Sequence, residues 1–170
     1  DWAAIQAKVV DSIRVYDTKH TIVVSGAEWG GIYGLTQLKK LKDTNLIYSF
    51  HFYDPFLFTH QGASWASPSL IDLKNVPFPY DATRMPVCPV SLKGTWVEGS
   101  LNSSYKTDGT VAKIKTTIDG VVNYATANGM KIFCGEFGVY NLNSPEKDRV
   151  DWYKIVPAYL TQKKIPCTMW

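Results

Sequence analysis

The chain has 170 residues, 45% of them hydrophobic and 19% charged, with a formal net charge of +3 carried by lysines scattered along its length. That balance belongs to an ordinary folded domain with one core. It excludes a basic nucleic-acid-binding surface and, since no run is long and apolar enough, a membrane span. Residues 2 to 16 place apolar side chains (Trp2, Ile5, Val9, Val10, Ile13) at helical spacing. Thr21 to Gly26 form a short β-branched run that reads as a buried strand, and a short helix is predicted from about Gly34 to Leu41. Leu46 to Tyr53 make a second strand, stopped by Asp54-Pro55.

A long irregular region follows, from about residue 54 to residue 108, rich in Pro, Gly, Ser and aromatic side chains (Phe56, Phe58, Trp65, Tyr80, Trp96 and Tyr105). A loop of that length in a folded domain is functional or disordered, and its aromatic load predicts an ordered cover over a site. Thr110 to Ala127 read as a helix ended by Asn128-Gly129, and Lys131 to Phe137 as a third strand. Ser144 and Pro145 supply an N-cap and a first helical position for a helix running to Lys163-Lys164, and Ile165 to Trp170 read as a fourth strand. Four strands alternating with helices predict a parallel sheet with right-handed crossovers.

Aromatic residues make up 14% of the chain, and many fall in loops and at strand ends. The apolar face of a sugar ring packs on such surfaces while its hydroxyls seek polar partners, so a neutral carbohydrate is the expected ligand. Cys88, Cys134 and Cys167 form an odd set without metal-ligand spacing. At most one disulfide is open to them, and Cys134 and Cys167 read as inert thiols in apolar runs. The carboxyl ends of parallel strands face the ligand site in barrels and open α/β sheets. Those ends carry Glu28 and Trp29, His51 and Tyr53, Glu136, and Trp170. Glu136, an acid ending an apolar strand between Gly135 and Gly138, is the strongest catalytic candidate.

Three motifs carry a family resemblance: Ser49-Phe50-His51-Phe52-Tyr53-Asp54-Pro55 with Phe58-Thr59-His60-Gln61-Gly62, then Gly135-Glu136-Phe137-Gly138, then Thr168-Met169-Trp170. In order and spacing the chain resembles glycoside hydrolase family 5, the cellulase family of (β/α)8 barrels, over nearly its whole length. The resemblance implies a retaining endo-β-1,4-glucanase that hydrolyses O-glycosidic bonds in β-linked glucans, needs no metal or other cofactor, and works in a secreted or extracellular setting. It makes Glu136 the nucleophile, with His51 and Tyr53 beside it and Trp170 stacking under a sugar; Trp29, His60 and Trp65 are expected to line the substrate.

The family's Asn-Glu-Pro motif, which carries its general acid, and its nucleophile-orienting arginine have no match among these residues. The match therefore covers four strands, resembling strands five to eight, so residues 1–170 are expected to form one half-barrel domain of the TIM type. Retaining hydrolysis needs two carboxyl groups roughly 5 to 5.5 Å apart, and only the attacker is evident; Glu28 is the candidate surrogate acid. Two unpaired sheet edges predict a homodimer or another edge-covering assembly. A carbohydrate-binding module, or an inactive fragment of a longer cellulase, is the competing reading.

Overall fold

A computed structural model describes residues 1–170 and places helix α1 at Trp2–Arg14, β1 at Ile22–Ser25, α2 at Ile32–Thr36 and β2 at Leu46–Phe52. Five short helical segments then follow: α3 (Phe56–Thr59), a 3-10 turn (Val90–Leu92), α4 (Trp96–Gly99), a π-helical turn (Ser100–Ser104) and, running on from it, α5 (Tyr105–Asp108). Helix α6 (Val111–Ala127), β3 (Ile132–Phe137), α7 (Glu146–Gln162) and β4 (Cys167–Met169) complete the order. The chain divides into two units. Asp1–Phe52, Ile118–Phe137 and Leu160–Trp170 form the first, and Tyr53–Thr117 with Gly138–Tyr159 form the second.

The first unit holds a four-stranded sheet in the order β1-β2-β3-β4, with every neighbouring pair parallel. Along β2, Leu46, Tyr48, Phe50 and Phe52 are buried and alternate with Ile47, Ser49 and His51, as the period of two requires. Val24 is buried but Val23 is 56% exposed, so β1 is an edge strand with one open face and not the fully buried strand its composition predicted. Helix α1 buries only Gln6 and Val10. Trp2, Ile5, Val9 and Ile13, the apolar positions that marked the helix, stand exposed as a stripe along its flank. Its end is fixed by Arg14, whose guanidinium reaches Asp43 at 2.5 Å and the Asn45 carbonyl at 3.2 Å.

Helix α2 is shorter and earlier than the predicted span of Gly34 to Leu41. Glycine in a five-residue helix is a poor helix former, and beyond Gln37 the chain is drawn away by the Leu41 N–H, which donates to the Tyr48 hydroxyl at 2.8 Å. Strand β4 is also shorter than predicted, three residues with Met169 exposed. Cys134 and Cys167 are register partners across β3 and β4 and are free thiols. Burial pushes the Cys134 thiol up to about 12, which keeps it protonated and unreactive.

In the second unit, the stretch read as irregular loop contains α3 to α5 and a core of its own: Phe58, Leu70, Leu73, Val76, Phe78, Leu92, Val97 and Tyr105 are all buried. Polar side chains brace the turns between them. The buried Gln61 amide donates to the Phe58 and Val76 carbonyls and accepts from the Val76 N–H, so every polar atom it buries has a partner. Buried Asp148 accepts from the Phe78 N–H at 3.1 Å and from both terminal nitrogens of Arg84. The Tyr105 hydroxyl donates to the Pro77 carbonyl at 2.7 Å. The predicted cap of α7 is replaced: the Ser144 hydroxyl donates back to the Tyr140 carbonyl.

Candidate active site

One extra residue in β3 decides where Glu136 points. Phe50 of β2 pairs with Cys134, but the next residue, His51, pairs with Glu136, so Gly135 is passed over and the ladder bulges there. Strict alternation would have put Glu136 opposite Phe52, on the face that β2 buries; the bulge returns it to the face of His51. The burial pattern agrees, since Cys134 and Phe137 are both buried while Gly135 and Glu136 between them are half-open.

Two neighbours hold the bulge. The Gly135 carbonyl, drawn out of the ladder, accepts from the Thr168 hydroxyl of β4 at 2.5 Å. A Cβ on Gly135 would lie 2.4 Å from the Ser49 Oγ, so even a methyl there requires the Ser49 hydroxyl or the ladder to move.

His51 is fixed from below. Its N–H donates to the Gly30 carbonyl at 2.8 Å, and a Cβ on Gly30, which has φ +71°, would meet the imidazole at 3.0 to 3.1 Å. The ring therefore lies over a glycine floor supplied by the turn after β1. From there His51 Nδ1 reaches Glu136 Oε2 at 3.2 Å, with both side chains partly open to solvent. An imidazole protonated at Nδ1 donates to the carboxylate and fixes which oxygen stays outward.

The other predicted residues of this unit lie at strand exits. Glu28 and Trp29 both have positive φ, 58° and 56°, in the turn after β1, and Trp29 is 92% exposed. Trp170 follows β4, its N–H donating to the Phe137 carbonyl at 3.0 Å, with its indole 81% exposed. Tyr53, His60 and Trp65 belong to the second unit. There His60 is packed between Phe56, stacked at 3.9 Å between centroids, and the edge of Tyr53 at 5.2 Å. Thr59 fixes both ends of this turn, donating to the Tyr53 carbonyl at 2.6 Å and standing 2.9 Å from His60 Nδ1. Burial holds His60 down to about 4, so its ring is neutral at physiological pH and offers one donor and one acceptor. Trp65 meets the edge of Tyr140 and is 65% exposed.

The model of the cellulase family, glycosyl hydrolase family 5, matches residues 1–170, the whole chain. The chain belongs to that family. Its cellulase-family relatives include Endoglucanase 3 of Fibrobacter succinogenes, 33% identical over 99% of this chain and 26% of the relative. Endoglucanase C of Acetivibrio thermocellus is 23% identical over 99% of this chain and 48% of its own length. Among solved structures, the cellulose synthase subunit Z of Clostridioides difficile superposes with a TM-score of 0.75 at 27% identity, and the endoglucanase Cel5A of Thermotoga maritima with 0.76 at 25%. Each covers 99% of this chain, which covers 47% and 46% of theirs. The chain thus spans about a quarter and about a half of the lengths of these two endoglucanases. Its four parallel strands and flanking helices are half of the family's (β/α)8 barrel.

Ser49, Thr168 and Gly30 were not singled out from the sequence as site residues, although each shapes the placement of Glu136 or His51. Ser49 and Thr168 open two of the family motifs, and the glycine before the acid marks a bulge or a close approach without saying which. No three His, Cys, Asp or Glu side chains are grouped to hold a metal ion, and no helix is long and apolar enough to cross a membrane.

Proposed function

We propose that this chain carries the nucleophile side of a retaining endo-β-1,4-glucanase. The observation that supports this reading is the bulge-directed Glu136, with His51 Nδ1 3.2 Å from its carboxylate at the carboxyl end of a parallel sheet. Glu136 attacks the anomeric carbon and forms a glycosyl ester, while the bond from that carbon to the leaving oxygen breaks and its electron pair goes to the oxygen. A general acid protonates that oxygen, and water then displaces the sugar from Glu136. His51 is a positioning residue that orients the attacking oxygen; exposed Trp29 and Trp170 offer flat surfaces for sugar rings.

The acid is the remaining part. Within the first unit, Glu28 is the other carboxylate that follows a strand exit, and we assign it the surrogate role. A polymeric glucan too large to enter a cell is cut outside it, so the enzyme acts in an extracellular setting.

Reducing-sugar release from carboxymethylcellulose tests the reading. Glu136→Gln is expected to lower release by at least about a thousandfold, the scale seen when a nucleophile is removed. An equal loss in Glu28→Gln assigns the acid to Glu28; unchanged turnover removes it. A protein that is retained on cellulose but releases no sugar in any form is a binding module, and the enzyme reading fails.

A further inference from the structure

The second unit contains a pocket of about 360 Å³ that includes neither Glu136 nor His51. One wall is aromatic: Trp96 and Phe56, whose rings meet edge to face at 6.0 Å and are 45% and 42% exposed. The indole is fixed in place, because its N–H donates to the Ser67 carbonyl at 3.1 Å. Phe56 is likewise backed by its stack on His60. A second wall is the π-helical turn Ser100–Ser104, which presents the paired hydroxyls of Ser100 and Ser104, 3.2 Å apart. Such turns are rare and recur at functional sites.

The floor is a carboxylate without a protein donor. Burial pushes the Asp54 carboxyl up from its ordinary value, the nearby Asp108 adds to that, the Lys113 ammonium opposes it, and no hydrogen bond relieves it. Asp54 is half-buried and opens into the pocket, where the hydroxyls of a bound ligand can donate to it.

The lining selects the ligand's chemistry. A cation would gain from Asp54 and Asp108 but would be opposed by Lys113 in the same wall. A polyol uses all of it, with vicinal hydroxyls donating to the carboxylate, the ammonium and serine hydroxyls donating back, and the apolar ring face lying on an indole. The volume is at the small end of ligand sites, which limits the occupant to about one ring. We propose that this pocket is a second saccharide site of the chain, holding one neutral pyranose unit on Trp96 with Asp54 as its main acceptor. The choice of a glucose ring rests on the glucanase reading; the existence of the pocket does not.

The test is a titration of the ¹⁵N-labelled protein with cellobiose, followed at the tryptophan indole N–H signals, with the Trp96 signal assigned through Trp96→Phe. A saturable shift of that signal is expected in the wild type and equally in Glu136→Gln, so a failed hydrolysis assay leaves this readout intact. Asp54→Asn is expected to raise the midpoint about tenfold, the loss of one charge-assisted hydrogen bond. If Asp54→Asn does not fold by circular dichroism, Ser104→Ala takes its place, with a several-fold weaker midpoint expected. A Trp96 signal unmoved by cellobiose up to its solubility overturns the proposal. So does a signal that putrescine moves and cellobiose does not, which would mark an amine site.

Discussion

The two units fix their functional side chains by different means. In the first, position comes from the ladder: strand register, one bulge at Gly135 braced by the Thr168 hydroxyl, and a glycine floor at Gly30 bring His51 and Glu136 together. In the second, position comes from side chains. Gln61, Asp148, Thr59 and Tyr105 each reach across a turn to satisfy backbone groups, and the aromatic residues rest on that frame. A ladder tolerates many substitutions on its surface but none that shifts its phase, because the period of two sends every later side chain to the other face. A frame of buried side-chain bonds has no phase to lose. It is weakened bond by bond, and its failures show first as lost stability.

Among changes that test this contrast, the largest effect is therefore expected at Gly135. Gly135→Ala puts a methyl 2.4 Å from the Ser49 Oγ, and where the hydroxyl does not turn away the ladder shifts and Glu136 moves with it. A displacement of that order costs roughly a hundredfold in turnover, measured by reducing-sugar release, with a stability loss of about 1–3 kcal/mol in urea denaturation. The φ of Gly135 lies outside the left-handed region, so the obstacle is space alone. Adding Ser49→Ala should accordingly restore much of the lost activity. A double variant as poor as the single one would show that the bulge needs glycine for its backbone and not for space.

Asp148 provides the matching experiment in the frame. Asp148→Ala strips the Phe78 N–H and Arg84 of their shared acceptor inside a buried setting, and a loss of about 2–3 kcal/mol is expected from the urea midpoint. Arg84 is 43% exposed and can turn to water, which keeps the cost below that of a fully enclosed pair. Arg84→Met leaves the buried Asp148 carboxylate with only the Phe78 N–H against its charge, and should cost at least as much. A clearly smaller cost would mean the backbone bond to Phe78, and not the ion pair, holds this turn.

The same contrast explains what the sequence could and could not disclose. The four strands, the long helices and the acid at a strand exit follow from apolar periodicity, which is local, and all are present as predicted in kind. The family motifs led to Glu136 and His51, and the sheet brings those two within 3.2 Å. What periodicity could not carry was phase. Counting alternate residues along Cys134, Gly135 and Glu136 gives the wrong face for the acid, and only the pairing with β2 reveals the skipped glycine. Nor could it reveal the partners of Gln61 or Asp148, which lie 15 and up to 70 residues away in sequence, so the stretch from 54 to 108 read as loop while it holds a buried core. The apolar stripe of α1 shows the opposite failure. Its pattern promised burial, yet Ile5 and Val9 remain more than half exposed, because periodicity states which residues share a face and not whether anything covers it.

The smallest of the expected effects tests whether the frame of the second unit responds to protons. His60 is packed against Phe56 and Tyr53, and burial lowers its folded-state value to about 4 from the ordinary 6.5. The unfolded chain therefore takes up the proton first as pH falls. The stability contributed by a neutral His60 is complete above about pH 6.5 and is lost progressively toward pH 4, so stability rises with pH across that window. The ring is partly open to solvent, and about 2 kcal/mol is expected between the two ends of the window. Urea midpoints of the wild type and of His60→Gln, each taken at pH 7 and pH 4.5, isolate the term: the carboxylates titrate in both proteins, so their contribution cancels in the difference. The wild type should lose more on acidification than His60→Gln does. Equal losses would mean that the imidazole is already solvated where it stands, and that the turn from Tyr53 to His60 is held by the Thr59 hydroxyl alone.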